Sequence, residues 1–248
     1  MIKVAYFDCY SGASGDMLLG ALLDKAVDFD WFCNEIKKLN LPEDSYKLTK
    51  TYVDRSSISS CKINIDLTKH EHVHRGYKEI CKILDNSQIN EKACKLSKEI
   101  FFKIAKAEAQ VHNKSIEEIH FHEVGAMDSI IDIAGFNICY TSLNVDKCYV
   151  SPVPVGSGTV ECAHGCLPVP APATLEMLKE NVLIIKQNNN IKEECFTPTA
   201  CAILSTIANK CTTFPDFDRI TSTGYGAGDK VFCNSIVSNL RFVIGEKD

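Results

Sequence analysis

The sequence predicts an α/β fold, a layered mixed sheet with flanking helices in a single globular unit. Three observations carry this. Strand-like and helix-like patterns interleave along the chain. Apolar residues make up 45% and charged residues 24%, an ordinary balance for a chain with a packed core. No Pro/Gly/Ser-rich linker and no internal repeat divides the 248 residues, so 1–248 reads as one domain.

The elements follow in order. Residues 2–7 (Ile-Lys-Val-Ala-Tyr-Phe) are a short run of strand formers. Ser11-Gly12-Ala13-Ser14-Gly15 is a small-residue loop, and Asp16 stands where a helix cap is expected before Met17 to Val27. That helix is apolar almost all round until Asp24, which predicts burial. Residues 30–39 read as a second helix, ended by Leu41-Pro42. Residues 46–67 read as two strands around Asp54-Arg55-Ser56-Ser57. A polar, His-bearing stretch covers 68–76. Over 90–111, Ala93, Leu96, Ile100, Ile104, Ala107 and Val111 recur at intervals of three or four, the amphipathic helix spacing. Another helix is expected over 128–143. Residues 147–170, with Pro152, Pro154, Pro168 and Pro170, suit edge strands and rigid turns. Thr197-Pro198 opens a helix to about 209, and 218–244 reads as two strands joined through Thr223 to Gly228.

Composition excludes several classes. A net charge of −5 argues against non-specific nucleic-acid binding. No apolar run is long enough to span a membrane, and the first residues lack the charged-then-apolar layout of a signal peptide. The expectation is a cytoplasmic protein. Thirteen cysteines, odd in number and scattered, fit buried thiols in a reducing compartment better than a disulfide framework.

Five segments have the residue types for chemistry. In DCYSGASGDM, Asp8 ends a strand and Ser11, Gly12, Ser14, Gly15 and Asp16 lead into a helix N-terminus, whose free N–H groups suit anions. A plain strand–helix turn is the alternative. His70, His72 and His74 alternate, so an extended backbone sets three imidazoles on one side; a solvated loop is the alternative. In His120-Phe121-His122-Glu123, a strand would point both imidazoles one way and Glu123 the other. Asp128 and Asp132 follow at helical i,i+4 spacing. This group is the strongest candidate for a metal site or a general base, with structural histidines and a helix cap as the alternative. Cys162, His164 and Cys166 place soft ligands at alternate positions, against the alternative of a buried thiol and a hydrogen-bonded imidazole. Thr197 and Thr199 set hydroxyls beside a helix start, as a second anion site or a simple cap.

These segments together, DCYSGASGDM, HFHEVGAMDSIIDI, SPVPVGSGTVECAHGCLPVPAPAT, FTPTACAIL and TGYGAGDK, resemble the LarC family of nickel-insertion proteins in order and over nearly the whole chain. The resemblance implies a lyase-class nickel-inserting cyclometallase. A pyridinium bisthiocarboxylate mononucleotide receives nickel, which becomes bonded to two sulfurs and a ring carbon, giving the nickel-pincer cofactor of lactate racemase. The family's activity uses CTP, with Mg or Mn, through a C-terminal domain that this sequence does not contain. The expectation is one half of a split enzyme, working with that domain supplied separately and homo-oligomeric.

Forming a metal–carbon bond at a ring C–H position releases a proton, and His120, His122 and Glu123 are the candidate acceptors. His70, His72, His74, His120, His122, Asp128, Cys162 and His164 are the candidate nickel ligands. Asp8, Ser11, Gly12, Ser14, Gly15, Asp16, Thr197 and Thr199 are the candidate substrate and phosphate contacts. Two other readings stand beside this one: a non-catalytic nickel- or nucleotide-binding subunit, and a metal-dependent phosphoesterase.

Overall fold

The computed structural model describes residues 1–68, 75–121, 124–179, 181–232 and 238–248. The chain runs β1 (Ile2–Asp8), α1 (Gly15–Lys25), α2 (Phe29–Lys37), β2 (Tyr46–Arg55), β3 (Ile58–Leu67), α3 (Tyr77–Asp85), α4 (Glu91–His112) and α5 (Met127–Ser142). It continues through β4 (Lys147–Val150), β5 (Val153–Val155), β6 (Thr159–Cys162), β7 (Gly165–Pro168), α6 (Pro172–Leu178) and β8 (Ile185–Gln187). It closes with α7 (Pro198–Ile207), β9 (Lys210–Cys211), β10 (Arg219–Gly226) and β11 (Leu240–Lys247).

Among the described residues, seven strands form one mixed sheet in the order β2-β3-β10-β11-β1-β4-β9. β1 sits inside it, antiparallel to β11 and parallel to β4, so residues from both ends of the chain are neighbours. Val4, Ala5, Tyr6 and Phe7 are all buried, as expected for a strand covered on both faces. Two small pairs, β5–β8 and β6–β7, stand apart from this sheet. The α/β reading of the sequence holds.

α1 lies across β3, β10 and β11, and α5 lies against α1 and α4. Close approach of α1 to the sheet depends on glycine. A Cβ at Gly226 would stand 1.9 Å from the Met17 carbonyl oxygen, so any side chain there would push the helix off the strand. Phe7, Phe136 and Phe242 meet in the core, with ring centroids of Phe7 and Phe242 5.0 Å apart. Each side chain of this size, fully buried, contributes roughly 1.5–3 kcal/mol.

Two polar pins set the position of α4. Buried Asn137 of α5 donates through Nδ2 to Ser97 Oγ at 3.0 Å, and that hydroxyl donates to Ala93 O at 2.7 Å. Further along, Lys103 Nζ donates to Ser205 O on α7 at 2.9 Å, and burial lowers the Lys103 pKa. Asn90 caps the start of α4 by accepting from Lys92 N at 2.9 Å. Asn113, at φ 51°, turns the chain away at its end.

The structure differs from the sequence reading at several elements. α1 begins at Gly15 with Ser14 at the N-cap position, so Asp16 is inside the helix and is not its cap. Leu18 N already bonds to Ser14 O at 3.0 Å, which starts the helix before Asp16. In the HFHE segment, His120 makes a bridge with Gly76 and Phe121 N donates to Arg75 O at 3.1 Å, while His122 and Glu123 lie outside the described residues. α3, α6, β8 and β9 are additional elements that the sequence reading did not assign.

Candidate functional site

The loop after β1 is clamped by its own glycine. Gly12 has φ +105°, and a Cβ there would stand 1.9 Å from the Cys195 carbonyl oxygen. That carbonyl accepts from Ala13 N at 2.8 Å, and Thr197 N donates to Ala13 O at 3.1 Å. The result is a short parallel bridge between Ala13 and Phe196 that sets the N-termini of α1 and α7 side by side. α7 is capped by Thr197 Oγ1, which accepts from Ala200 N at 3.3 Å, with Pro198 at the first helical position. This part of the sequence reading holds in detail.

Segment 194–198 separates two hollows. The smaller, about 160 Å³, is lined by Ser14, Asp16 and Thr197 together with Glu194, Asp229 and Lys230. The larger, about 330 Å³, is lined by His112, His120, Cys162 and His164 with Glu108 and Glu194. Glu194 borders both, so what occupies one lies close to what occupies the other.

The smaller hollow carries opposed charges. Two helix N-termini favour anions there. Asp16 answers that field in part: its carboxylate accepts from Met17 N at 3.0 Å and from the Ser14 hydroxyl. Burial raises the Asp16 pKa against the pull of those two bonds. Beside it on α5, Asp132 has an Oδ1 sealed from solvent and without a hydrogen-bond partner. Desolvation, followed by the charges of Asp16 and Asp128, pushes the Asp132 carboxyl well above the usual carboxylate range. A Cβ on Gly15 would sit 3.1 Å from Thr199 Cγ2 and 3.3 Å from Asp132 Oδ2, so Thr199 and Asp132 flank the first turn of α1. Lys230 supplies a cation nearby, its Nζ donating to Glu194 O at 3.0 Å.

The larger hollow holds the imidazoles. Glu108 and His112 are one turn apart on α4, with His112 Nε2 3.3 Å from Glu108 Oε2. The β6–β7 hairpin places His164 in its two-residue turn, opposite them. The rings of His112 and His164 are 4.8 Å apart, centroid to centroid. Ligand atoms of Glu108, His112 and His164 all lie within 4.8 Å of one another. His120 and Cys162 line the same cavity, and Cys162 Sγ donates to Gly165 O at 3.4 Å.

The candidate residues therefore divide. Ser14, Asp16 and Thr197 meet in one hollow, His120, Cys162 and His164 in the other. Asp128 joins Asp16 and Asp132 as a carboxylate trio and is not among the residues lining the imidazole cavity. Ser11 is turned away: fully buried, it donates to Asn239 O at 2.9 Å. Asp8 pairs with Arg241 Nη2 at 2.6 Å and borders a separate hollow with Tyr6 and Tyr10. Cys166 pairs across the hairpin with Glu161, because the chain reverses at His164 and does not continue as one strand. His70, His72, His74, His122 and Glu123 lie outside the described residues.

Glu108 and His112 were missed by sequence reasoning. The available signal was the Glu-x-x-x-His spacing near the end of a long helix, read there only for its apolar stripe. Most buried thiols are held protonated: burial pushes Cys195 and Cys201 up to about 12 and Cys61 up to about 11.

The family described as nickel insertion protein matches residues 5–248. The chain belongs to the nickel insertion protein family. A pyridinium-3,5-bisthiocarboxylic acid mononucleotide nickel insertion protein of Acetivibrio thermocellus is 45% identical over 236 residues, covering 92% of this chain and 57% of that relative. One of the same name from Desulfitobacterium hafniense is 42% identical over 245 residues, covering 99% of this chain and 59% of the relative. The chain thus spans about 60% of the length of the curated nickel insertion proteins it matches. No solved structure matches it. No helix among the described residues is long and apolar enough to cross a membrane.

Proposed function

We propose that this chain inserts nickel into pyridinium-3,5-bisthiocarboxylic acid mononucleotide, as the names of its relatives state for them. The observation that carries the proposal is the pair of adjoining hollows, one lined by imidazoles and one by two helix N-termini, with Glu194 bordering both. Nickel and a mononucleotide need such neighbouring sites, one for a borderline metal and one for a phosphate.

In this reading the phosphate goes to the start of α7, at Thr197 and Lys230. The cationic pyridinium ring goes toward the carboxylates of Asp16 and Glu194. Insertion makes two nickel–sulfur bonds and one nickel–carbon bond and breaks one ring C–H bond. The proton released goes to an imidazole or carboxylate of the HFHE segment, with His120 already on the cavity wall. In this reading CTP, with Mg or Mn, is used by the family's C-terminal domain, in the part of the relatives' length that this chain does not span, and the reaction is a cyclometallation of the lyase class.

The test is insertion by purified chain given the mononucleotide, nickel and CTP, with and without that domain, read by mass spectrometry. Nickel-containing product in either arm supports the proposal. Its absence from both, with the chain folded, overturns it.

A further inference from the structure

We propose that Glu108, His112 and His164 form a three-ligand docking site for nickel(II), the place from which the ion leaves for its acceptor. This rests on the nickel-handling reading above and names where the metal sits.

Three features carry it. The ligand atoms converge, all within 4.8 Å of one another, close enough to contract around one ion. The donor set is two imidazoles and one carboxylate, which suits late first-row divalent metals; it lacks the thiolates that would trap a softer ion. The supports differ on the two sides. Glu108 and His112 are on α4, pinned to α5 and α7 through Ser97 and Lys103. His164 stands at the tip of a two-stranded hairpin outside the main sheet.

That asymmetry suits a delivery site. Two ligands on a fixed helix define the position, and a third on a short hairpin can withdraw. Three protein ligands leave coordination positions open toward the 330 Å³ cavity, where the incoming sulfurs would bind before the protein ligands let go. His112 and His164 are both exposed, so the ion enters from solvent without passing through the core.

The experiment is a titration of untagged full-length chain with nickel(II) alone, followed by calorimetry and by the ligand-field absorption of the bound ion. The variants are His164→Ala, His112→Ala and Glu108→Gln. One tight equivalent is expected in wild type. His164→Ala and His112→Ala should each weaken it by more than about 10-fold, the least that loss of a direct ligand should cost. Glu108→Gln should weaken it less and shift the absorption band. His164 is exposed at a turn, so its variant keeps the fold, checked by its melting curve. Wild-type affinity and spectrum in both His112→Ala and His164→Ala would overturn the site. Because no nucleotide is present, the result is independent of insertion: a chain that binds nickel here but never makes product would refute the proposed function and leave the site standing.

Discussion

His112, at the end of α4, and His164, in the β6–β7 turn, face each other with ring centroids 4.8 Å apart. No strand pairing or shared helix joins them. Their meeting is a product of tertiary packing, and it creates a cavity lined by imidazoles next to the paired N-termini of α1 and α7.

The clamp at Gly12 is the first prediction. Its positive φ and the 1.9 Å approach to Cys195 O leave no room for a methyl group. Gly12→Ala should lower stability by about 3 kcal/mol or more, from backbone strain and a steric clash together. Chemical denaturation measures this, and insertion activity should fall with it because both helix starts lose their register.

Thr197 caps α7 and lines the smaller hollow. Thr197→Ala should cost about 1 kcal/mol of stability. Thr197→Ser should restore most of that, since the capping oxygen remains. If the phosphate docks there, the alanine variant also raises KM for the mononucleotide, and the serine variant brings KM back toward wild type.

Asp132 makes the fold pH-sensitive. A carboxyl whose folded pKa is raised contributes most below its unfolded pKa of about 4, and that contribution is lost as pH rises through the folded value. Wild type should therefore lose stability toward alkaline pH through this group. Asp132→Asn removes a buried ionisable group whose Oδ1 has no hydrogen-bond partner, and should be more stable by about 1–3 kcal/mol near neutral pH. The gap should close toward about pH 4. Melting curves of both proteins across that range check it; a variant less stable than wild type at neutral pH would refute the assignment.

The histidines at 70, 72 and 74 are expected to gather nickel and not to transform it. Replacing all three with alanine should raise the nickel concentration needed for half-maximal insertion while leaving kcat unchanged. A steady-state nickel titration of the insertion reaction checks this.

Local patterns made much of the architecture legible. The apolar faces of α1 and α4, the turn at Asp54 to Ser57 and the Thr197-Pro198 start all rest on neighbours in sequence, and all appear where expected. α3 and α6 were missed because both are short, nine and seven residues, too few for a repeating helical period to stand out. At the site, Ser14, Asp16 and Thr197 were found because helix starts announce themselves. Ser11 and Asp8 were chosen with them and proved to be turned elsewhere, toward Asn239 and Arg241. Both of those partners come from the far end of the chain, through the β1–β11 pairing that no local pattern reveals. Glu108 and His112 were missed for the same reason: on α4 alone they are two more residues of a helix face, and only the hairpin brings His164 to within ligand distance of them.

The most direct test of nickel delivery is a single-turnover transfer. The chain is loaded with one equivalent of labelled nickel, freed of unbound metal, and mixed with the mononucleotide, CTP and the separately supplied domain. Appearance of the label in the product, at the rate it leaves the protein, is the predicted result. Label that stays on the chain while product forms only from added free nickel would contradict it.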